Sequence, residues 1–173
     1  MIFKIAVVIG SLMIMLAGVL VGAVTLGGYI FNPTSSAPIG IWKVTKTKDF
    51  KKGDYVLVCP PAHPVLEDLV KRNALLKGRC DSNTVPFIKT VYGVAGDALD
   101  THKDHGVFIE GELIPNTMPY DWPGLELTNG KIIERGEFVA LQTGHPASID
   151  SRYFGPLKRK EVIGTMELVW RYE

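Results

Sequence analysis

The stretch Pro86-Phe87-Ile88-Lys89-Thr90-Val91-Tyr92-Gly93-Val94 decides the fold. Its β-branched and aromatic residues, bounded by turn formers, read as a strand. Runs of the same kind lie on both sides: 39–45 (IGIWKVT), 54–59 (DYVLVC), 106–114 (GVFIEGELI), 137–142 (EFVALQ) and 162–172 (VIGTMELVWRY). The run at 54 is entered through Lys52-Gly53-Asp54, a turn signal. Strand runs separated by Gly, Pro and Asp clusters predict a mainly β chain, with antiparallel sheets folded over one core.

One short helix interrupts the strands, predicted over 64–77. Pro64 suits its first position, Glu67 and Lys71 are spaced as an i,i+4 pair, and Gly78 suits the position after its end. Leu66, Leu69 and Val70 share its apolar face. The helix lies within the loop enclosed by Cys59 and Cys80. These cysteines either form a bridge, which in an oxidising compartment contributes about 3 kcal/mol, or remain as two buried thiols. Neither sits in a CxxC spacing, so no metal site is expected. Residues 115–130 (PNTMPYDWPGLELTNG) read as a surface excursion.

The N-terminal end is of another kind. Of the first thirty residues 22 are apolar, and Lys4 is the one charged residue among them. Without Lys4, the rest of the chain carries 18 basic and 18 acidic residues. A body of zero net charge is not built for nucleic acid, and one about 41% apolar is not disordered. Ile5 to Ile30 run without a charged residue. As a helix this stretch reaches about 39 Å, enough for a hydrocarbon core of about 30 Å. The segment reads as a retained transmembrane anchor or as a signal peptide cleaved after Val21-x-Ala23. Both readings keep Lys4 in the cytoplasm and place the rest on the far side of the membrane. The expected organisation is a membrane segment over 1–30 and an extracytoplasmic domain over 31–173.

The four histidines, His63, His102, His105 and His145, fall in no metal-binding spacing. No GxSxG elbow, phosphate loop or dinucleotide fingerprint is present. Three segments carry possible chemistry instead. Asn32-Pro-Thr34-Ser-Ser36-Ala-Pro38-Ile-Gly40-Ile-Trp42 reads as a polar linker or as a loop presenting Ser36. Lys89 sits inside an apolar run. Pointing outward, it is an ordinary surface lysine. Pointing inward, it is desolvated, its pKa falls, and its neutral amine can act as a base. Ser148-Ile-Asp150-Ser-Arg152-Tyr153-Phe154-Gly155 reads as a turn with a local ion pair, or as polar groups that orient the lysine. A serine activated by a lysine is a recognised nucleophile–base arrangement.

These residues resemble the type I signal peptidases, and within them the conjugative-transfer branch of TraF-type peptidases. Asn32, Thr34, Ser36, Pro38, Gly40 and Trp42 match the branch pattern Asn-x-Thr-x-Ser-x-Pro-x-Gly-x-aromatic. Lys89-Thr-Val-Tyr-Gly93-Val-Ala-Gly96-Asp97 matches the lysine box, and Ser148-x-Asp150-Ser-Arg152-Tyr153-Phe154-Gly155 the last box. Thr143-Gly144-His145-Pro146-Ala147, and Ala95 where proline is common, depart from the housekeeping pattern and favour the conjugative branch.

The resemblance implies a signal-peptidase-like fold and a serine endopeptidase without cofactor or metal. It implies Ser36 as nucleophile, Lys89 as general base, and Asp150 as an aspartate implicated in activity. Ser148 and Arg152 would support the site, and the Ser36 amide and Thr34 hydroxyl would hold the oxyanion. The expected partner is a membrane-tethered precursor, the pilin of a conjugative system, cut or cut and cyclised by a monomeric enzyme. The expected location is the bacterial inner membrane, with the catalytic domain in the periplasm. A broad housekeeping signal peptidase and a non-catalytic anchored component of the conjugation machinery are the rival readings.

Overall fold

The computed structural model describes residues 2–172; within the first helix, the side chains at 2–6, 8, 17, 20, 21 and 23–25 lie outside that description. Helix α1 spans Ile2–Leu26. The anchor reading and the Val21-x-Ala23 site both fall partly on side chains outside the described set. Among the described residues no helix is long and apolar enough to cross a membrane.

The apolar segment ends earlier than expected. Gly27-Gly28 breaks it: Gly28 adopts φ +75°, and its carbonyl accepts the Val44 N–H at 2.8 Å. Tyr29–Asn32 is then a strand, β1, so the boundary expected at residue 30 falls inside the folded domain. β1 forms an antiparallel hairpin with β2 (Gly40–Val44), from Tyr29 opposite Lys43 to Asn32 opposite Gly40. Ser36 lies in the loop that joins them.

The remaining elements follow in chain order. They are β3 (Tyr55–Val58), α2 (Pro64–Lys71), β4 (Phe87–Val94), β5 (Ala98–His102), β6 (Gly106–Ile109), β7 (Glu112–Ile114), β8 (Lys131–Ile132), β9 (Glu137–Leu141), α3 (Ser151–Phe154), β10 (Leu157–Lys158) and β11 (Val162–Arg171). They form two sheets, ordered β1-β2-β11-β3-β4-β9-β10 and β7-β6-β5-β8. Every pairing is antiparallel. The chain is mainly antiparallel β, as the strand runs predict.

β9 is buried on both faces, and this organises the core. Phe138 and Ala140 pack with Val56, Val58, Val91 and Phe50 under the large sheet. Val139 and Leu141 pack with Leu99, Val107, Ile109 and Ile133 under the small sheet. β4 serves both cores through a bulge at Tyr92. Lys89 and Val91 share one face of the strand, whereas a Cβ on Gly93, past the bulge, would stand 2.6 Å from Ile133. A third cluster holds Ala37, Trp42, Leu57 and Met166. Trp42 is fully buried there, and its indole N–H donates to the Pro38 carbonyl at 2.9 Å.

Three local expectations are corrected. The 106–114 run is a hairpin, because Glu110 and Gly111 both take positive φ and turn the chain between β6 and β7. The helix predicted over 64–77 stops at Lys71. Asn73 takes the left-handed conformation after it, with Ala74 N–H bonded to Leu69 O and Asn73 N–H to Val70 O, a Schellman ending. Gly78 is therefore not its cap, and the i,i+4 ion pair seen on α2 is Arg72–Asp68. Third, α3 is a second short helix in the body, capped by the Asp150 side chain and closed by Gly155. Cys59 and Cys80 form a disulfide.

Candidate active site

Ser36 is held by a loop that Asn32 builds. The buried Asn32 amide donates to the carbonyls of Thr34, Ala37 and Pro38 at 3.0, 3.1 and 3.1 Å. Its oxygen accepts from the Thr34 N–H and from the Thr34 hydroxyl at 2.7 Å. All of its polar atoms are spent on the seven residues 32–38. The Thr34 hydroxyl lies 3.2 Å from the Ser36 hydroxyl. With its one proton given to Asn32, Thr34 is the acceptor in that contact. Serving an oxyanion would require it to turn away from Asn32.

Lys89 points inward. It is 4% exposed, on the same face of β4 as Val91 and opposite Val56 of β3. Its ammonium donates to Ser148 Oγ at 2.7 Å and stands 5.3 Å from the centre of the Phe87 ring. Burial lowers its pKa to about 8 from the usual 10.5; the Asp150 charge opposes that shift and the Arg152 charge adds to it.

Asp150 and Arg152 form a buried fork. Arg152 Nε donates to Asp150 Oδ1 at 2.8 Å and Nη2 to Oδ2 at 3.0 Å, with neither side chain exposed. Asp150 also accepts the N–H groups of Gln142 and Arg152. The remaining Arg152 donors reach the carbonyls of Gln142, Met118 and Pro146. Asp150 thus acts on Lys89 through its charge, while Arg152 ties the loop between β9 and α3 to the loop between β7 and β8.

The loop between β9 and α3 joins the two halves of the site. A Cβ on Gly144 would lie 2.8 Å from the Ser35 carbonyl oxygen and 2.9 Å from that of Ser36. Four residues on, Ser148 holds Lys89. Ser36, Thr34, Lys89 and Ser148 line one cavity of about 360 Å³. A second cavity, of about 510 Å³, opens beside Ser36 toward Tyr55, Gln142 and Arg171. Ser36 therefore stands between two spaces. The arrangement places a serine hydroxyl and a buried amine of lowered pKa on one cavity.

The peptidase S26 model, described as a signal peptidase, matches residues 1–171. The chain belongs to the S26 signal peptidase family. Among this S26 member's relatives, the probable conjugal transfer protein TraF of Sinorhizobium fredii (strain NBRC 101917 / NGR234) is 31% identical over 157 residues, covering 88% of this chain and 82% of that protein. The plasmid transfer protein TraF of Escherichia coli is 31% identical over 159 residues, covering 86% and 88%. The conjugal transfer protein TraF of Agrobacterium tumefaciens (strain 15955) is 33% identical over 146 residues, covering 80% of each chain. A signal peptidase I of Enterococcus faecalis V583 aligns with a TM-score of 0.41 at 20% identity, over 67% of this chain and 95% of that one.

Every site residue picked from the S26 boxes, Thr34, Ser36, Lys89, Ser148, Asp150 and Arg152, falls in this one region. Three further residues shape the region. Asn32 organises the Ser36 loop, Gly144 allows the two loops to touch, and Trp122, inside the stretch expected as a surface excursion, lines the first cavity and donates to the Ala147 carbonyl at 3.3 Å. A polar residue two positions before Thr34 in the motif was a signal for Asn32. Nothing in the local sequence marks Trp122.

Proposed function

We propose that this S26 family member is a membrane-associated serine endopeptidase of a conjugative transfer system, acting on an exported precursor, the pilin subunit. The single observation that carries the reading is the buried Lys89, with its pKa lowered to about 8, in the same cavity as Ser36. Neutral Lys89 takes the proton of Ser36 Oγ, and that oxygen attacks the scissile carbonyl. The Ser36 N–H, with Thr34 once it has turned, receives the negative charge of the tetrahedral intermediate. Protonated Lys89 then gives its proton to the leaving amine, and an acyl-enzyme remains. Water resolves it to a cut chain, and an amine of the same substrate resolves it to a ring. Ser148 positions the lysine, and Asp150 with Arg152 positions Ser148.

The working location is the periplasmic face of the inner membrane, with the N-terminal segment as anchor and the protein monomeric. Two features support this placement: the 26 positions without a charged residue, and an exposed cross-strand row of Phe31, Ile41 and Trp170. Tethering enzyme and substrate to one surface raises their effective concentration.

In a host carrying the transfer system, Ser36→Ala and Lys89→Ala strains accumulate uncut pilin precursor. Normal maturation in either strain would sink the assignment and favour a non-catalytic component. Mass spectrometry of the mature pilin reads the outcome, since a ring is lighter than the cleaved linear chain by one water. Purified enzyme offered several unrelated precursors processes its own; a broad housekeeping enzyme cuts them all.

A further inference from the structure

The first cavity is walled on one side by the catalytic groups and on the other by the disulfide-closed segment 59–80 together with Trp122. That segment is a built element. Leu66 of α2 is fully buried beneath it, and the Cys59–Cys80 bridge closes it against the end of β3. Ser82 and Thr84 are buried and bonded to each other at 3.0 Å, and Val85 N–H bonds back to Leu76 O at 3.1 Å. The stretch after α2 is thereby held in one conformation. Yet the side chains it turns toward the cavity are apolar: Leu69, Leu75 and Leu76. Leu76 is 67% exposed, although nothing in the backbone requires a leucine there. On the same cavity lining, Trp122 is fastened through its indole N–H to Ala147, the residue before Ser148. The ionisable groups on the whole cavity lining are Lys89 and His145, and it holds no carboxylate.

We propose that Leu75, Leu76 and Trp122 form a specificity site that takes an apolar side chain larger than alanine from the substrate peptide, near the scissile bond. The inference rests on the peptidase reading above and adds the substrate class. Two leucines on a braced segment and a tryptophan from the loop between β7 and β8 present apolar surface that is free in the empty enzyme and covered when an apolar side chain enters. An acidic side chain would be desolvated there without a partner. A serine or alanine would leave the space part empty. The nucleophile, the lysine and this wall then read one extended chain together.

The test uses full-length protein in detergent and a positional-scanning library of internally quenched peptides as probe. The wild type should prefer Leu, Ile, Met or Phe over Ala and Asp at one fixed position near the cut. In Leu75→Ser and Leu76→Ser, kcat/KM for the Leu-bearing peptides should fall about tenfold or more, while peptides with Ala at that position change little. The pH profile of the variants should keep the wild-type midpoint. An equal loss on Leu and Ala peptides, or none on either, overturns this proposal and leaves the peptidase reading standing. Absence of any Ser36-dependent cleavage by the wild type overturns both.

Discussion

The ammonium of Lys89 points at the hydroxyl of Ser148, 2.7 Å away, in surroundings that leave it 4% exposed. Burial sets its pKa near 8, so the base-competent amine becomes the major form only above that pH. Cleavage, followed as kcat/KM against pH, should rise through a midpoint near 8 and level off above it. Lys89→Ala should lose about 10²- to 10⁴-fold. Ser148→Ala keeps the amine but frees its position, and kcat should fall by up to about 10²-fold with KM little changed. A midpoint near the imidazole value of about 6.5 that disappears in His145→Ala would assign the base to His145 instead.

The same lysine has a cost in stability. In the unfolded chain it titrates near 10.5, and in the folded protein near 8. Between these values the unfolded state holds the extra proton, so stability rises with pH across that window; below pH 8 the whole penalty is present. A difference of this size corresponds to about 3 kcal/mol. Lys89→Met, which fills the same space without charge, should melt at a higher temperature than wild type at pH 7. Its advantage should shrink between pH 8 and 10.5, as measured by thermal unfolding in the same detergent.

The strands and the catalytic boxes were legible because their signals are local. The apolar run around Lys89 and the Lys52-Gly53-Asp54 turn fold as read, and the local Asp150–Arg152 ion pair forms, although on a short helix rather than a turn. What was not legible depended on partners far along the chain. Lys89 in an apolar run is compatible with either face of a strand. Its inward orientation follows from β3 and β9 flanking β4 and from Ser148 waiting 59 residues away. β1 was hidden because Tyr29 to Asn32 continues the apolar composition of α1, although Gly27-Gly28 marked the break. β8 and β10 have two residues each, and pairing with β5 and β9 makes them strands rather than any pattern of their own. Trp122 reaches the cavity only because Tyr153 and Arg152 hold its loop at Tyr120 and Met118.

Gly144 tests the contact between the two halves of the site. An added methyl would meet the Ser35 and Ser36 carbonyl oxygens at 2.8 and 2.9 Å, both main-chain atoms that cannot step aside by a rotamer change. Gly144→Ala must displace the Ser36 loop or the loop before Ser148. Activity should drop about 10²-fold through kcat. Folding should lose no more than about 1–3 kcal/mol. An unaltered kcat would show that the relation between the two loops does not matter.

The disulfide tests how much the segment 59–80 depends on its closure. Removing the bridge, by Cys59→Ser with Cys80→Ser, frees a loop of 21 residues' separation. The loss expected from chain entropy is about 3 kcal/mol. The double variant should melt lower, and selectivity for Leu-bearing peptides should weaken more than cleavage of Ala-bearing ones.

Asp150→Asn separates the charge of the aspartate from its hydrogen-bond geometry. The carboxylate accepts four bonds, from the Gln142 and Arg152 N–H groups and from two guanidinium nitrogens of Arg152. The amide can keep some of these, but Arg152 then loses its counter-charge in a site with no exposure. Breaking a buried pair from one side costs about 3–5 kcal/mol, so unfolding should come at clearly lower denaturant. The effect on Lys89 has a definite sign. The Asp150 charge raises the Lys89 pKa and the Arg152 charge lowers it. Removing the first and keeping the second moves the lysine further down. The midpoint of the activity profile should therefore shift below 8 in Asp150→Asn, while the plateau rate falls as the Ser148 loop loosens. A midpoint that stays at the wild-type value in a folded variant would mean that Asp150 shapes the loop and leaves the charge of Lys89 to other groups.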